Sequence, residues 1–413
     1  MNPVRSLTVL SLLASAAAAQ GPAFQTPGTP VYPAVPGPQA DSGQADRFAS
    51  VFNPAFSFIV DVVGDYLDVD GSSADSGFDA DLRVLEAAAQ AWIDPKAWAY
   101  FVGVSEDEGF GIEEAAIHYN GLEAIGLARS SLRAGRFFID FGKQMQQHVH
   151  ELRTLERPLV LRAYLGSEVA GDGLQWDHWM PAGDTAAVRW SLGVFSGLLP
   201  EEAEFPTADV ELELAERKDF GELNFSGRVT GFADVGTSGI LQLGASLRAI
   251  PEYDAVDEGN GLTAEGLDST VYGADVTYGW SDDSGQRRVT LGGEVLASTG
   301  DTGFELSDPD TTPGSGDETL TVLDDSVLGY YAFADYAWSR FHSAGVQFSA
   351  AEIPDADESD VSELELYFTR WFSEFHRLRF VVASIADDTS ADSLRLAIQY
   401  TGFVGAHGHG VNW

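Results

Sequence analysis

The sequence predicts an all-β fold, a single transmembrane up-and-down antiparallel β-barrel of sixteen strands with an inward-folded third long loop. Three observations predict it. Stretches of about ten residues alternate between apolar and small or polar side chains, and the connections between them alternate between short and long. After the N-terminus, no stretch approaches the roughly 20 apolar residues of a membrane-spanning helix. Such a pattern is typical of bacterial outer-membrane barrels.

The N-terminal segment predicts export. Arg5 precedes an apolar run from Leu7 to Ala19 that ends in small residues, which is typical of a signal peptide over 1–19. Residues 20–50 are rich in Pro and have no periodicity, so they predict a flexible linker, and 51–413 is assigned to the outer-membrane barrel. We therefore expect the mature protein in the cell outer membrane.

Charge and composition exclude several classes of protein. The chain has 413 residues, with 23 basic and 64 acidic side chains and a formal net charge of −41. Binding to nucleic acid requires a basic surface, so no nucleic-acid partner is expected. The absence of Cys excludes disulfides, thiolate-ligated metals and thiol catalysis, and no residue pattern requires a cofactor.

Sixteen segments have the two-residue periodicity of strands whose two faces differ chemically. Near the C-terminus, large apolar residues at 394, 396, 398 and 400 alternate with Arg395, Ala397, Gln399 and Thr401. By the same criterion we expect strands at 54–67, 81–93, 97–105, 110–119, 131–141, 173–180, 186–198, 221–234, 238–249, 270–281, 287–299, 326–338, 341–352, 361–373, 376–386 and 392–403. Such strands separate a lipid-facing surface from a polar interior, and sixteen of them leave room for a water-filled lumen.

The connections predict which end of the barrel faces outward. Long connections are expected at 142–172, 199–220, 250–269, 300–325 and 353–360, and the joins between them are tight. Acidic residues are concentrated between Asp301 and Asp325 and between Asp355 and Asp360. On the outer side, this charge either solvates the loops or binds Ca²⁺ or lipopolysaccharide-linked cations.

A basic segment interrupts the acidic chain. Between positions 129 and 162 only Asp140, Glu151 and Glu156 oppose seven basic residues. Six of these are candidates for a pore constriction that attracts anions, namely Arg133, Arg136, Lys143, Arg153, Arg157 and Arg162. The alternative is that they pair with nearby and wall carboxylates and fix the third long loop in the lumen.

Two histidines in the same segment suggest a metal site. His148 and His150 are one residue apart and Glu151 follows, so the three are candidate zinc ligands, completed by His118, His178 or Glu156. The alternative is a pair of hydrogen-bonded loop histidines. His407 and His409 form a second pair of the same kind.

Enzymatic motifs are missing from the sequence. There is no Gly-x-Ser-x-Gly, no phosphate-binding Gly-rich loop and no His-Glu-x-x-His. The sequence therefore predicts that the chain is not an enzyme; the alternative is an outer-membrane lipase, whose Ser and His on the barrel wall need not be close in sequence.

The basic segment also carries a family resemblance. The matching residues are Gly135-Arg136-Phe137-Phe138, Phe141-Gly142-Lys143, His148 to Glu151, Glu156 to Arg162, Leu165-Gly166 and Asp172 to Gln175. Within 131–176 the chain resembles a bacterial outer-membrane porin-like family related to the phosphate-selective porin O and P type. The resemblance implies a sixteen-stranded channel, usually trimeric, with anion preference from basic lumen residues. The chain departs from that type because it has only three lysines, so phosphate specificity is not expected.

Three functions follow from these observations. The leading prediction is an outer-membrane porin for passive diffusion of small hydrophilic solutes, weakly anion-selective through the third long loop. Its expected partners are outer-membrane lipid and lipopolysaccharide, solutes or anions, and two further copies in a homotrimer. One alternative is a zinc-linked outer-membrane binding or uptake protein that uses His148 and His150. The other is a secreted soluble β-sandwich or β-propeller that binds glycans.

Overall fold

One antiparallel sheet closes on itself and forms the wall of the molecule. The computed structural model describes residues 55–106, 109–199, 210–214, 220–257, 260–307, 318–354, 359–373, 375–388 and 391–405. Sixteen long strands each pair with the next one along the chain, and the last pairs with the first, from Ser57 opposite Gly405 to Val69 opposite Ser393. The closed sixteen-stranded antiparallel barrel is therefore confirmed, and the two-sheet or propeller alternative is wrong.

The strands follow the chain in order around the barrel. They are β1 (Ala55–Val69), β2 (Ser72–Asp94), β3 (Ala97–Glu106), β4 (Gly109–Tyr119), β5 (Ser130–Phe138), β6 (Ala170–Pro181), β7 (Ala186–Phe195), β8 (Glu211–Glu213), β9 (Asn224–Val235), β10 (Gly239–Asp257), β11 (Leu262–Ser281), β12 (Arg288–Ser307), β13 (Thr319–Ser339), β14 (His342–Glu352), β15 (Asp360–Ser373), β16 (His376–Asp387) and β17 (Ser393–Gly405). The short β8 pairs with β10 outside this cycle, and β7 pairs with β9.

Helices are few. The described part of the chain contains α1 (Leu159–Leu165) and two 3₁₀ helices, Leu122–Ile125 and Phe220–Glu222. None of the helices in these residues is long and apolar enough to cross a bilayer. The expected signal peptide over 1–19, the linker over 20–50 and the second histidine pair at 407 and 409 lie outside the described residues.

The two faces of the sheet differ as the periodicity predicts. On β17, Ile398 is 51% exposed, whereas the next residue, Gln399, is 0% exposed. Other large apolar residues of the strand, such as Leu396, point outward like Ile398, and Thr401 points inward like Gln399. The outer surface of the wall is therefore apolar and its inner surface polar, because successive side chains of a strand point to opposite faces.

The strands are longer than expected at one end of the barrel. The connections predicted at 250–269 and 300–325 consist largely of strand, because β10 continues to Asp257 and β12 to Ser307. Outside an apolar band the outward side chains need not be hydrophobic, so the hydrogen-bonded ladder continues where the alternation stops. The predicted strand 131–141 instead ends at Phe138, where the chain leaves the wall.

Residues 139–169, here called the lumen loop, join β5 to β6 and lie inside the barrel. This is the third connection at its end of the barrel, after those from β1 to β2 and from β3 to β4. Its apolar side chains are buried, including Phe141, Leu152 and Leu161, and α1 packs against β13 and β14. The expected inward-folded loop is therefore present, starting three residues earlier than predicted.

Candidate lumen site

The backbone of the lumen loop is hydrogen-bonded to side chains on opposite parts of the wall. Gly142 N donates to Ser246 Oγ of β10 at 3.0 Å, and Leu155 N donates to Glu365 Oε1 of β15 at 2.7 Å. At the start of α1, Val160 N donates to Ser349 Oγ of β14 at 3.1 Å. Because a helix start leaves its first amide groups without partners in the helix, the wall hydroxyl fixes both the position and the direction of α1.

The entry of the lumen loop requires a glycine. Gly142 has φ +53°, a conformation that L side chains rarely adopt. A Cβ built there would also lie 2.2 Å from Oε1 of Glu294 on β12. Any other residue would therefore be strained by the backbone angle, and the carboxylate of Glu294 would have to move.

Two of the predicted constriction residues are buried in ion pairs. Arg157 is 0% exposed and lies 2.9 Å from Glu168. Arg162 is paired with Glu363 of β15 at 2.6 Å and with Glu156 at 3.1 Å. Their charges are neutralised by carboxylates, so these two arginines fix the loop rather than face a solute.

Lys143 and Arg153 remain partly exposed in the lumen. Lys143 Nζ donates to Gln242 Oε1 of β10 at 3.3 Å, and the guanidinium of Arg153 lies 4.6 Å from the ring centre of Phe333. Burial, together with the nearby charges of Arg153 and Arg228, lowers the pKa of Lys143 to about 7. Lys143 therefore changes its charge close to neutral pH.

The other two candidates lie on the wall. Arg133 and Arg136 are both on β5, with Arg133 Nη2 3.2 Å from Gln175 Oε1 and Arg136 3.6 Å from Asp172. The side chain of Arg136 is 37% exposed. The structure thus distributes the six predicted basic residues over the wall, the loop surface and the buried contacts of the loop.

Sequence reasoning missed the arginines that the wall directs at the loop. Arg377 and Arg379 of β16 donate to the carbonyl oxygens of His150 and Thr154 at 2.6 and 2.7 Å. Arg395 of β17 pairs with Glu156 of the loop. These positions were detectable, because alternate residues of each strand are apolar and the arginines lie among the residues between them.

His148 and His150 contact a group of wall carboxylates. Nδ1 of His148 lies 2.9 Å from Glu113 Oε2, and its Nε2 lies 3.3 Å from Glu114 Oε1, both on β4. Glu86 of β2 is 3.0 Å from His150 Nδ1 and 3.9 Å from His148 Nδ1. The two imidazole rings are stacked with centres 5.8 Å apart.

The two histidines respond differently to this surrounding. Burial lowers the pKa of His148, but Glu113 and Glu86 outweigh it and hold that pKa well above its ordinary value. Burial lowers the pKa of His150 to about 3, so this ring is neutral. An imidazole beside two or three carboxylates can hold either a proton or a metal cation.

The three residues expected to complete a zinc site with His148 and His150 have other partners. His118 is stacked on Trp98 at 4.4 Å, His178 lies 2.8 Å from Ser130 Oγ, and Glu156 pairs with Arg162 and Arg395. Glu151 is buried but does not belong to the group of mutually close ligand atoms. Within the described residues that group consists of Glu86, Glu113 and His148.

A cavity of about 610 Å³ adjoins this group. Its lining includes Glu113, Glu168, Asp172 and Glu213, with Arg136 as the basic residue among them. The cavity is therefore acidic, whereas Lys143 and Arg153 lie in another part of the lumen.

Comparison with known proteins identifies the fold. No protein-family model and no curated protein match the chain. The solved anion-selective porin from Comamonas acidovorans aligns with a TM-score of 0.53 at 11% identity, over 85% of this chain and 99% of the porin. The outer membrane channel DcaP of Acinetobacter baumannii aligns with a TM-score of 0.52 at 10% identity, over 86% and 99%. In-vitro folded OmpT of Vibrio cholerae has a TM-score of 0.53 at 10% identity, over 86% and 98%.

These matches define the class of fold. The chain has the closed barrel of outer-membrane porins, as the resemblance implied. At 10–11% identity the likeness extends to the fold alone. The relation to the phosphate-selective O and P type stays a prediction.

One sequence-based prediction is corrected by the same matches. The absence of motifs predicted that the chain is not an enzyme. Several structures that share the barrel are of OmpT, described as an outer membrane protein and not as a porin. The barrel therefore does not exclude catalysis, and that prediction is withdrawn.

Proposed function

We propose that this chain is an outer-membrane porin that allows passive diffusion of small hydrophilic solutes. One observation carries the proposal. The wall exposes apolar side chains outward, such as Leu396 and Ile398, while the residues between them are polar and turned inward. A surface of that kind is stable against hydrocarbon, and a polar interior is compatible with water.

The proposal includes a weak anion preference carried by Lys143 and Arg153. Of the basic residues in the lumen loop, these two keep partial exposure, whereas Arg157 and Arg162 are buried against carboxylates. A fixed positive charge in a narrow, low-dielectric passage raises the local concentration of anions.

The proposed partners are lipid, lipopolysaccharide and two further copies of the chain. The apolar outer face supports contact with lipid, and the acidic loops support contact with lipopolysaccharide-bound cations. The homotrimer is proposed because OmpT of Vibrio cholerae, which shares the fold, is described in a trimer form. Light scattering of detergent-solubilised protein should give a protein mass of three chains, and a mass of one chain would refute the trimer.

Planar-bilayer recording tests the porin. Refolded protein should produce discrete conductance steps in KCl, and the reversal potential in a salt gradient should indicate that chloride is preferred. The double variant Lys143→Met, Arg153→Met should lose that preference while keeping its steps. If wild-type protein inserts and gives no steps, the diffusion function is refuted.

The matched control is Arg340→Met. Arg340 stands at the tight turn between β13 and β14, over the ring of Phe341, and has no place in the lumen. Its removal should leave the reversal potential unchanged. If Arg340→Met and the double lumen variant shift the reversal potential equally, the preference does not come from the lumen loop.

A further inference from the structure

Three metal-ligating side chains from three separate segments meet at one edge of the lumen. One ligand atom each of Glu86, Glu113 and His148 lies within 4.8 Å of both of the others. Glu86 comes from β2, Glu113 from β4 and His148 from the lumen loop. Segments this far apart in sequence place two carboxylates beside an imidazole, which is a ligand set that divalent transition metals accept.

The hydrogen bonding of Glu86 is a second observation that favours a cation at this group. Glu86 is 1% exposed, and its Oε2 accepts no hydrogen bond from any residue that the structure describes. That oxygen is directed at the two imidazoles, 3.0 Å from His150 Nδ1 and 3.9 Å from His148 Nδ1. A buried carboxylate oxygen without a donor is costly, and a metal ion held between it and an imidazole removes that cost.

The spacing of the ligand atoms is close to that of a tetrahedral site. Zinc bonds of about 2.0–2.2 Å to N and O place neighbouring ligands roughly 3.3 Å apart. The observed separations from Nδ1 of His148 are 2.9 Å to Glu113 and 3.9 Å to Glu86. Side-chain adjustments of about half an ångström would equalise them.

Access to the group is provided by the acidic cavity. The cavity of about 610 Å³ is lined by Glu113 itself and by Glu168, Asp172 and Glu213. Carboxylates around a confined space raise the local concentration of cations. A divalent ion can therefore reach Glu113 from the solvent side without crossing the apolar part of the lumen loop.

We infer that Glu86, Glu113 and His148 bind a divalent transition-metal ion, with Zn²⁺ as the probe. The ion joins the lumen loop to β2 and β4. The ion pairs of Asp140 and Arg162, in contrast, connect the loop to β7, β9 and β15. The inference does not depend on the porin proposal, since it concerns binding rather than permeation.

Calorimetry with Zn²⁺ tests the site on refolded, chelator-treated protein. The background for every sample is the double variant His407→Ala, His409→Ala, which removes the C-terminal histidine pair. One ion should bind per chain, and His148→Ala and Glu113→Gln should each weaken binding by roughly 100-fold or more, since loss of even an outer-shell partner costs 10–100-fold. Circular dichroism verifies the fold of each variant.

The control variant is His178→Ala. His178 interacts with Ser130 on β5 and contributes no atom to the ligand group, so its removal should leave the affinity unchanged. Absence of zinc binding in the background protein, or equal affinities of the Glu113→Gln and His178→Ala variants, overturns the inference.

X-ray absorption of the zinc-bound background protein tests the ligands without a substitution at any of the three proposed ligand residues. Ligands should be N and O at about 2.0–2.2 Å, with the multiple scattering of at least one imidazole. A spectrum without imidazole contributions refutes the assignment of His148, even if both variants fail to fold.

Discussion

Arg162 in the lumen loop and Glu363 on β15 are 2.6 Å apart, although 201 positions separate them in the sequence. Their side chains are only 2% and 7% exposed. Glu156, also in the loop, lies 3.1 Å from the same guanidinium. An arginine shared by two buried carboxylates is a connection between loop and wall that neither water nor salt can replace easily.

Removing this guanidinium should release α1 from the wall. Arg162→Met leaves Glu156 and Glu363 as buried carboxylates without that partner, and loss of one side of a buried ion pair costs about 3–5 kcal/mol. We expect faster hydrogen exchange across residues 139–169 and a lower free energy of unfolding in urea. Hydrogen exchange with mass spectrometry measures the first, and tryptophan fluorescence the second.

The corresponding surface variant is Arg136→Met. Arg136 is 37% exposed and lies 3.6 Å from Asp172, so its loss should cost about 0–1 kcal/mol. If both variants change the exchange of the lumen loop equally, burial of the Arg162 pair does not hold α1 in place.

The wall was predictable from sequence because one physical rule determines it. Each strand that faces lipid on one side and water on the other must alternate, and residues 394–401 show that alternation without exception. The rule stops working at the far ends of β10 to β13, where the inward side chains Tyr253, Ala255 and Phe304 are buried in an apolar cluster. There the ladder continues through residues that the sequence assigned to loops, such as 300–307 and 319–325.

A side chain at Gly142 is expected to destabilise the folded protein. In Gly142→Ala the methyl group meets Oε1 of Glu294, and the alanine must also adopt φ +53°. The backbone conformation alone costs about 1–3 kcal/mol, and crowding of a packed site adds a similar amount. The free energy of unfolding in urea should fall by about 2–5 kcal/mol.

Gly183→Ala separates the two causes. Gly183 has φ +82° and nothing within 4 Å of a built Cβ, so only the backbone cost applies there. A loss of stability in Gly142→Ala no larger than in Gly183→Ala would show that contact with Glu294 does not matter.

The anion preference should depend on pH through Lys143. Its pKa is about 7 in the folded protein, so its positive charge is present at pH 6 and largely absent at pH 8. We expect the chloride-to-potassium permeability ratio to fall across that interval, with a midpoint near pH 7. The groups around Lys143 include Arg153, Arg228 and Asp275, and its amide faces Glu294 at 3.5 Å. Reversal potentials at fixed salt gradient and varied pH measure the ratio.

Two substitutions show whether Lys143 is the titrating group. Lys143→Arg keeps its charge and should show a high ratio at both pH values, whereas Lys143→Met should show a low ratio at both. An unchanged pH midpoint in Lys143→Met would assign the effect to another group. The pKa of Lys143 in the folded protein lies below the ordinary 10.5, so the unfolded chain binds more protons than the folded chain between about pH 7 and 10.5. Burial of the charged Lys143 destabilises the folded protein below this window, and that effect disappears as pH rises through it.

The candidate site was only partly predictable, because its residues come from segments that the sequence does not connect. His148 and His150 were identifiable from their spacing, but the carboxylates that meet them are Glu86 and Glu113, on two wall strands. Their proximity depends on barrel closure and on the path of the lumen loop. A two-residue period indicates which side chains face inward but not which strand ends up opposite which part of a loop.

The seam that closes the barrel depends on Asp61 of β1. This carboxylate is 0% exposed and accepts hydrogen bonds from Arg83 at 2.8 Å, Gln399 at 2.7 Å and Thr401 at 2.6 Å. The last two donors are on β17, so one carboxylate connects the first strand with both of its neighbours. Asp61→Ala leaves the buried Arg83 without this counter-charge, and we expect a loss of about 3–5 kcal/mol in the free energy of unfolding.

The temperature at which the refolded barrel changes mobility in a detergent gel should fall in Asp61→Ala. Asp234→Ala removes an exposed carboxylate on β9 and should leave that temperature within a degree or two of wild type. Equal mobility transitions in the two variants would mean that pairing of the β1 and β17 backbones closes the barrel without help from this side chain.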